Sequence, residues 1–373
     1  MSKKKILLIT HQTSKSGAPY TILLIFKEIL KKHNIDLDVF AISSVGELKS
    51  DFQEIATNFF YPEKYYGYKK TIYEKTLSFL KIRTYKSPFE ILKQEISKIN
   101  YDIIYANTVV AIPYAVEIKN NRKTKIIAHI HELNFAIQEC LPDFKNYTKS
   151  INFFFVPSNL NKQVLINDFD VDNIKIEIYR EAALPPDHNF ELIQDKNIFN
   201  VFMCGTSNWR KGNDLFLILA NSVIKVDNSI HFYWIGNQDN LSRKTIDFEL
   251  NKLKINRNIH FSGEIKEVYG KIKNMHCFVL TSREDPFPLA AIEAGMAGLP
   301  IICFDKGNGI NEVLKDKELI VDYLDLEKMK NTILKLKQNE YIQKTISENN
   351  KKTFHNFTPD KIALEIMGKI ELM

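Results

Sequence analysis

The sequence has no apolar run of about 18 residues, the length that a membrane-spanning helix requires. Its N-terminus, Met1 to Lys5, is basic, but the apolar segment that follows, residues 6–10, is far too short for the core of a secretory signal. That segment is typical of a first β-strand instead. Neither a membrane span nor an export signal is therefore expected.

Cysteine is scarce, with four in 373 residues, and the four positions share no spacing typical of a metal site. Cys277 and Cys303 lie in segments that we expect to be buried strands. We interpret all four, Cys140 and Cys204 included, as reduced core residues of a cytoplasmic protein. The sequence also has no acidic cluster typical of a metal site, so no metal cofactor is expected.

The excess of one charge sign is small: 51 basic residues stand against 45 acidic ones, a net charge of +6. Binding of nucleic acid would call for a concentrated basic stripe within a known motif, and the sequence contains no such motif. Nucleic acid is therefore not an expected partner.

One segment, residues 61–95, has a local basic excess, with eight basic residues against four acidic ones and with tyrosines and phenylalanines between them. A basic and aromatic segment is suited to contact an anionic membrane surface or a lipid-linked acceptor. This interpretation places the protein at the inner face of a membrane, as a peripheral protein. The alternative is a lysine-rich face that only contacts solvent.

The chain alternates apolar, β-prone segments with helical patterns along its whole length, which predicts α/β sheets covered on both faces. A length of 373 residues suits two domains. The predicted strands of the first domain are residues 4–10, 37–43, 102–107, 125–130, 151–157 and 174–179, and those of the second are residues 200–204, 230–235, 258–261, 276–281 and 300–304.

The most informative stretch is Ser282 to Gly298, which reads SREDPFPLAAIEAGMAG. It follows a predicted strand and begins with an acidic turn that contains two prolines. A helix rich in small residues comes next, and another predicted strand follows. Ligands of parallel α/β sheets bind beyond the carboxyl ends of the strands, where this turn lies. The amides from Leu289 and Ala290 onward, at the start of the helix, are suited to bind a phosphate.

Two acidic residues flank this helix start: Asp285 in the turn, and Glu293 eight positions later, about two helical turns along. Together they are suited to hold sugar hydroxyls on one side and ribose hydroxyls on the other. The alternative is that Asp285 caps the helix and Glu293 is solvated. The apolar neighbours of Glu293 favour the first interpretation, because a carboxylate among them requires a partner.

This segment resembles the acidic-x7-acidic motif of retaining glycosyltransferases with the GT-B fold, family 4 in particular. Asp285 stands where most members have Glu, and Pro286 and Pro288 stand where many have Gly. The stretch Gly307 to Val313 is similar to the Gly-rich stretch that precedes a helix in the family.

The resemblance implies two Rossmann-like domains whose parallel sheets face a central cleft. We expect an acceptor-side domain at 1–184 and a nucleotide-sugar-binding domain at 198–352. A proline-bearing linker at 185–197 joins them. By the same resemblance, a last helix at 357–373 crosses back to the first domain.

Two positions of the first domain acquire roles from the resemblance. Gly17 lies in a loop between the first strand and helix, where family members have Gly-Gly or Gly-Ala and contact the donor or acceptor. His129 and His131 project from the same face of a predicted strand, but no third ligand cluster supports a zinc site. His131, which an acidic residue follows, matches the family histidine that contacts the donor sugar.

In the second domain, the adjacent Arg210 and Lys211 near a helix start are suited to clamp a diphosphate. The alternative is a basic pair at the surface. Lys211 and the glycine after it match a Lys-Gly of the family. The upstream Arg of that pattern is absent, and our hypothesis is that Arg210 replaces it. Glu264 and Ile265 occupy the place where family members hold the nucleobase.

We therefore expect a metal-independent retaining glycosyltransferase, a hexosyltransferase, acting in surface glycan biosynthesis. Its donor would be a nucleoside-diphosphate sugar and its acceptor a hydroxyl of a glycan or a lipid-linked molecule. His131, Asp285 and Lys211 are the expected catalytic residues. The predicted donor-binding set is Gly17, Arg210, Lys211, Glu264, Ile265, Pro288, Leu289, Ala290 and Glu293. Two alternatives stay open: a nucleotide-sugar epimerase of the same fold, and a non-catalytic protein that binds nucleotide sugars or glycans.

Overall fold

The computed structural model describes residues 3–65 and 87–373, apart from positions 194, 196, 256 and 266. Residues 66–86, which make up most of the basic and aromatic segment at 61–95, lie outside the described residues. Contacts within the chain divide it into two compact units. The first unit comprises residues 1–156, 162–179 and 363–373, and the second comprises residues 157–161 and 180–362.

The first unit is built on a seven-stranded sheet in which all paired strands are parallel. Its strands are β1 (Lys4–Thr10), β2 (Ile35–Ala41), β3 (Asn58–Phe60), β4 (Ile103–Asn107), β5 (Lys125–His129), β6 (Phe153–Val156) and β7 (Ile176–Ile178). They lie in the order β3-β2-β1-β4-β5-β6-β7, so the direction of winding reverses between β1 and β4. A crevice forms beyond the carboxyl ends of two strands at such a reversal, which makes this edge a place for ligands.

Helices connect these strands: α1 (Gly17–Lys32), α2 (Lys49–Ile55), α3 (Pro88–Ile96), α4 (Ile112–Ile118), α5 (Asn134–Cys140) and α6 (Asn159–Phe169). The start of α3 shows how the sequence determines a helix boundary. The hydroxyl of Ser87 accepts a hydrogen bond from the amide of Glu90, and the Glu90 carboxylate accepts one from the amide of Ser87. Pro88 at the first helical position needs no amide partner.

The second unit contains a six-stranded sheet, again with parallel pairs throughout. Its strands are β8 (Phe199–Cys204), β9 (Ile230–Ile235), β10 (Ile259–Phe261), β11 (Cys277–Leu280), β12 (Ile301–Phe304) and β13 (Ile320–Val321). The order is β10-β9-β8-β11-β12-β13, and the winding reverses between β8 and β11. The strands β11 and β12 are buried along their whole length, as expected for a sheet covered on both faces.

The helices of this part of the chain are α7 (Asn213–Ile224), α8 (Asn240–Leu253), α9 (Val268–Ile272), α10 (Leu289–Met296), α11 (Leu326–Lys337), α12 (Glu340–Phe354) and α13 (Pro359–Glu371). The small residues of α10 allow close packing: a Cβ on Gly295 would lie 2.2 Å from the ring of Phe354 in α12. The end of α13 belongs to the first unit, where Lys369 forms an ion pair of 2.5 Å with Glu177 of β7.

The predicted strands are present, each within two residues of its expected start, but three other expectations were wrong. No strand was predicted between residues 43 and 102, but Asn58–Phe60 form the strand β3. This strand has only three residues, too few for an alternating pattern to be visible. The Gly-rich stretch at 307–313 leads into a single 3₁₀ turn, Ile310–Glu312, rather than a helix.

The third correction concerns cysteine. All four cysteines are free, and Cys277 and Cys303 are buried as predicted. Cys140 is exposed, however, because it ends helix α5, of which only Ile137 is buried. Within the described residues, no helix combines the length and the apolar composition needed to cross a membrane.

Candidate active site

Three loops lie side by side at the carboxyl ends of β8, β9 and β10. The amide of Gly205 donates to the carbonyl of Ile235 at 2.8 Å, and the amide of Gly236 donates to the carbonyl of Gly263 at 2.8 Å. Gly236 has a φ of +145°, and a Cβ there would lie 2.2 Å from the Gly205 carbonyl oxygen. Glycine is therefore required for this close approach.

The predicted nucleobase contacts follow directly at this edge. Glu264 is exposed and Ile265 is half-buried, next to Gly263. The structure thus places both residues at the same side of the second unit as the ends of β8 and β9. Their contact with a base stays a prediction.

The loop that carries Lys211 is held against strand β11. The hydroxyl of Thr281 donates to the Lys211 carbonyl at 3.1 Å. Gly212 has a φ of +72°, and a Cβ on it would lie only 2.0 Å from the Thr281 carbonyl oxygen. Only glycine fits here, and the close contact brings Lys211 to the point where the winding of the sheet reverses.

At this point, Lys211 meets Asp285. The Lys211 ammonium lies 2.5 Å from the Asp285 carboxylate, and their side chains are only 13% and 7% exposed. The hydroxyl of Ser282 donates to the same carboxylate oxygen at 3.1 Å. Helix α10 begins after Pro288, so Asp285 does not cap it, and the capping alternative is wrong.

Glu293 lies near enough to the thiol of Cys204, at the end of β8, for its charge to act on that thiol, as do the charges of Lys211 and Asp285. Burial raises the pKa of that thiol to about 12. The negative charges of Glu293 and Asp285 raise it as well, while the charge of Lys211 opposes them. The structure therefore brings Lys211 near Asp285 and Glu293, which lie far from it in the sequence.

Arg210 is directed at the acidic turn rather than at solvent. Its guanidinium donates to the carbonyl of Glu284 at 2.8 Å, and its own carbonyl accepts from the amide of Arg283 at 2.8 Å. Arg283 makes a two-pronged contact with Asp214, at 2.9 and 2.8 Å, and lies over the Trp209 ring. Arg283 therefore fixes the loop.

The helix start that was predicted to bind phosphate has the expected form. Pro288 precedes the first residue of α10, and Leu289 and Ala290 are half-buried. Within the described part of the chain, the amides of Leu289 and Ala290 have no backbone acceptor. Free amides at a helix start are suited to an anion.

A second turn, at residues 307–309, supports the acidic turn from behind. Gly307 has a φ of +82°, and a Cβ on it would lie 2.2 Å from the Arg283 carbonyl oxygen. The amide of Asp285 donates to the Gly307 carbonyl at 2.7 Å, and the amide of Gly309 donates to that of Pro286 at 2.7 Å. These bonds fix the position of Asp285 before any ligand binds.

In the first unit, polar residues gather at the ends of β1, β4 and β5. His131 Nε2 lies 2.8 Å from Asn107 Oδ1, and the ring centroids of His129 and His131 are 4.1 Å apart. Burial lowers the pKa of His129 well below its ordinary range, and the charge of His131 adds to this. Burial and His131 likewise lower the pKa of His11 to about 4. His11 and His129 are therefore neutral near pH 7.

The backbone of Thr108 is strained at this place. Its φ of 84° and ψ of 159° lie in a region used almost only by glycine, at a cost of about 1–3 kcal/mol. The amide of Thr108 donates to the His129 carbonyl at 2.9 Å, and its hydroxyl lies 3.4 Å from His11 Nδ1. Such strain is typical of functional sites, because surrounding contacts have to maintain it.

Gly17 opens helix α1 at the same edge of the sheet. A Cβ added to Gly17 would meet no atom of the described residues within 4 Å. The carbonyl of the next residue, Ala18, accepts a hydrogen bond of 3.2 Å from Asn107 Nδ2. The structure thus connects Gly17 and His131, the two predicted residues of this unit, through Asn107.

Several residues of these clusters were missed from the sequence: His11, Asn107 and Thr108 in the first unit, and Cys204 and Ser282 in the second. Each lies at, or within two residues of, the end of a strand at a reversal of winding. That position was the available signal, but the strand order has to be known before it can be used.

Comparison with known protein families finds one match, and it lies within the second unit. Residues 186–353 match the family model of glycosyl transferases group 1. No curated protein sequence matches the chain significantly.

Solved structures resemble the whole chain. Anabaena Alr3699/HepE in complex with UDP and glucose has a TM-score of 0.80 at 15% identity, and the match covers 99% of this chain and 100% of that one. A mutant of S. aureus TarM in complex with fondaparinux, α-GlcNAc-glycerol and UDP has a TM-score of 0.75 at 14% identity, over 98% and 99%. The sucrose-phosphate synthase of Thermosynechococcus elongatus has a TM-score of 0.77 at 15% identity, over 99% and 98%.

These matches confirm the predicted fold class and the predicted class of enzyme. Residues 186–353 match the glycosyl transferases group 1 family, and the chain as a whole has the GT-B fold.

Proposed function

We propose that the chain is a retaining glycosyltransferase of family 4 that moves a hexose from a nucleoside-diphosphate sugar to a hydroxyl acceptor during surface glycan biosynthesis. The observation that carries this proposal is the cluster of Lys211, Asp285 and Glu293 beside the free amides of α10. It lies where the winding of the second sheet reverses, between β8 and β11.

The donor is proposed to be a UDP-sugar. Alr3699/HepE has been solved with UDP and glucose, and the TarM mutant with UDP. In this chain, Glu264 and Ile265 would contact the base at the loop after β10, and Glu293 would bind the ribose. Asp285 would accept hydrogen bonds from hydroxyls of the transferred sugar.

The diphosphate is proposed to bind between the basic pair and the helix start. Arg210 offers a forked guanidinium, Lys211 offers a point charge, and Leu289 and Ala290 offer amides beside Pro288. When the bond between the sugar carbon and the diphosphate oxygen breaks, the diphosphate leaves with the electron pair. These fixed donors stabilise the charge that develops on it. Because they supply the compensating charge, we propose a reaction without a metal ion.

Retention places the acceptor hydroxyl on the face of the sugar that the diphosphate leaves. The acceptor oxygen then forms the new bond to the sugar carbon, and its proton passes to the departing phosphate oxygen. The first unit is proposed to contribute Gly17 and His131, which contact the donor sugar.

The acceptor is proposed to be a glycan or a lipid-linked molecule at the inner face of the membrane, with the enzyme in the cytoplasm. Residues 61–95 would provide the membrane contact. Co-sedimentation with liposomes tests this: binding should rise with the share of anionic lipid. Binding that does not depend on anionic lipid would remove the membrane contact from the proposal.

The central test is calorimetric titration with UDP, GDP and ADP, followed by assays of donor hydrolysis and transfer. Lys211→Ala and Glu293→Ala should each weaken nucleotide binding by about 1–3 kcal/mol, the value of a hydrogen bond to a charged group. The control is Lys244→Ala, which removes an exposed lysine from helix α8. Unchanged affinity in both site variants would overturn the assignment of these residues.

The assays also separate the two alternatives. An epimerase would convert the nucleotide sugar to an isomer without any acceptor. A binding module would show affinity for nucleotide and no turnover with any acceptor. Transfer of the sugar to a hydroxyl, with the configuration of the donor retained, supports the proposal over both.

A further inference from the structure

We infer that Asn107 is a positioning residue that holds the ring of His131 in one orientation and one tautomer and links it to the start of helix α1. The inference rests on the proposed function in one respect, because the effect on turnover requires that His131 contact the donor sugar. The arrangement of the three groups can be tested without any substrate.

Asn107 is the last residue of β4, and it is fully buried. Its side chain makes two hydrogen bonds in opposite directions. The amide nitrogen Nδ2 donates to the carbonyl of Ala18 at 3.2 Å, and the amide oxygen Oδ1 lies 2.8 Å from His131 Nε2. A carbonyl can only accept, so the contact with Ala18 determines which end of the amide faces the histidine.

The tautomer of His131 follows from this orientation. Oδ1 is an acceptor, so Nε2 of His131 has to carry a proton and donate it. In the neutral ring, the lone pair is then on Nδ1. The proton location of a histidine is commonly determined in this way by the partner of its other nitrogen.

The segment around Asn107 is held rigidly. Next to it, the strained Thr108 donates its amide to the His129 carbonyl at 2.9 Å. The Glu132 carboxylate accepts hydrogen bonds from the amides of His131, at 2.9 Å, and Val109, at 3.4 Å. The ends of β4 and β5 are therefore connected by backbone and side-chain bonds on both sides of the pair formed by Asn107 and His131.

The link to Ala18 gives the arrangement a second effect. Ala18 is the second residue of α1 and follows Gly17, which is proposed to contact the donor. One amide group therefore sets the distance between the glycine loop and the histidine. Loss of this group should misplace both elements, and small misplacements in an active site lower turnover strongly.

The first experiment is NMR spectroscopy of protein labelled with ¹⁵N at histidine, with His131 assigned by comparison with His131→Gln. At a pH high enough for the His131 ring to be neutral, we expect a single tautomer, protonated at Nε2. In Asn107→Ala, both tautomers should be present. Asn107→Asp keeps an acceptor for Nε2–H and should restore the single tautomer, although it cannot donate to Ala18. The control is Asn120→Ala, which removes another asparagine that donates to a backbone carbonyl, that of Ser97.

The second experiment measures sugar transfer. Asn107→Ala should lower kcat about 10- to 100-fold, with KM for the donor changed less than threefold. Thermal unfolding of each variant separates this effect from a loss of folding. If the alanine variant does not fold, Asn107→Asp replaces it, because this variant keeps the acceptor for His131 and loses only the hydrogen bond to Ala18.

Protonation of His131 at Nδ1 in the unchanged protein, or a single Nε2–H tautomer in Asn107→Ala, would overturn the positioning role. A wild-type protein that shows the expected tautomers but transfers no sugar would overturn the proposed function and still support the arrangement. Full turnover in a folded Asn107→Ala variant of an active enzyme would overturn the part that Asn107 plays in the reaction.

Discussion

The ammonium of Lys211 and the carboxylate of Asp285 lie 2.5 Å apart in a nearly buried ion pair, although 74 positions separate them in the sequence. The pair occupies the place proposed for the diphosphate and the transferred sugar. A bound diphosphate would therefore meet a lysine that Asp285 already orients. The pair has a structural role that can be separated from its role in binding.

Removing one member of the pair should destabilise the second unit. Among the described residues, Lys211→Met leaves the buried Asp285 carboxylate with only Ser282 as a partner, and the free energy of unfolding should fall by about 3 kcal/mol. Both tryptophans, Trp209 and Trp234, lie in the second unit, so urea unfolding followed by tryptophan fluorescence reports on it.

The double variant Lys211→Met with Asp285→Asn should recover part of this loss, because no buried charge is then left without a partner. The exposed Lys244→Met provides the control. Additive losses in the double variant would show that the two charges do not stabilise each other.

Substitution by alanine should lower the stability of the protein at Gly212 but leave it almost unchanged at Gly17. In Gly212→Ala, the new Cβ would lie 2.0 Å from the Thr281 carbonyl oxygen at a φ of +72°, so the free energy of unfolding should fall by about 2–4 kcal/mol. Gly17→Ala adds a Cβ that meets no described atom, and stability should change by less than about 0.5 kcal/mol.

Gly17→Ala should instead affect turnover, although it leaves stability unchanged. Gly17→Ala should lower transfer about tenfold in a fully folded protein, because its methyl group would occupy space proposed for the donor. Calorimetric unfolding and a transfer assay on the same samples check both statements. A fully active Gly17→Ala variant would contradict the proposed donor contact.

The strain at Thr108 should be measurable. Thr108→Gly relieves a backbone conformation with φ 84° and ψ 159°, whereas Thr108→Ala keeps it. After the entropy cost of glycine, the glycine variant should be more stable than the alanine variant by about 1 kcal/mol. Amide hydrogen exchange of strands β1 and β4 gives the local stability, and equal protection in the two variants would show that the conformation is not strained.

Acid should destabilise the second unit through His276, a residue that is 5% exposed and directly precedes β11. Burial lowers its pKa from 6.5 to about 4, although Asp195 opposes this, and its Nδ1 accepts a hydrogen bond of 3.0 Å from the Asn200 amide. Because the folded pKa lies below the unfolded one, the stabilisation is complete above pH 6.5 and is lost as the pH falls toward 4.

Between pH 7 and pH 4, the free energy of unfolding should therefore decrease in both proteins. The decrease should be smaller in His276→Gln than in the unchanged protein, by about 2 kcal/mol. Tryptophan fluorescence during urea unfolding at each pH measures the difference. The exposed His355→Gln is the control and should keep the pH profile of the unchanged protein. Parallel profiles for His276→Gln would contradict the lowered pKa.

The local patterns of the sequence were sufficient for the strands and for the stretch at 282–298. Runs such as Ile6–Thr10 and Cys277–Leu280 are apolar because the strands are buried on both faces, and that property is visible in one segment alone. The start of helix α10 was also predictable, since prolines and small residues act locally. The three-residue strand β3 was not, because its place depends on pairing with β2.

The sequence by itself determined the α/β class, the positions of most strands, and the chemical types of Lys211, Asp285 and Glu293. Only the tertiary structure decided that Lys211 pairs with Asp285, that both act with Glu293 on the thiol of Cys204, and that Asn107 connects His131 to the start of α1. The physical reason is that such contacts depend on the order of strands in a sheet and on loop conformations held by glycines such as Gly212. Neither of these is encoded within any single segment of the chain.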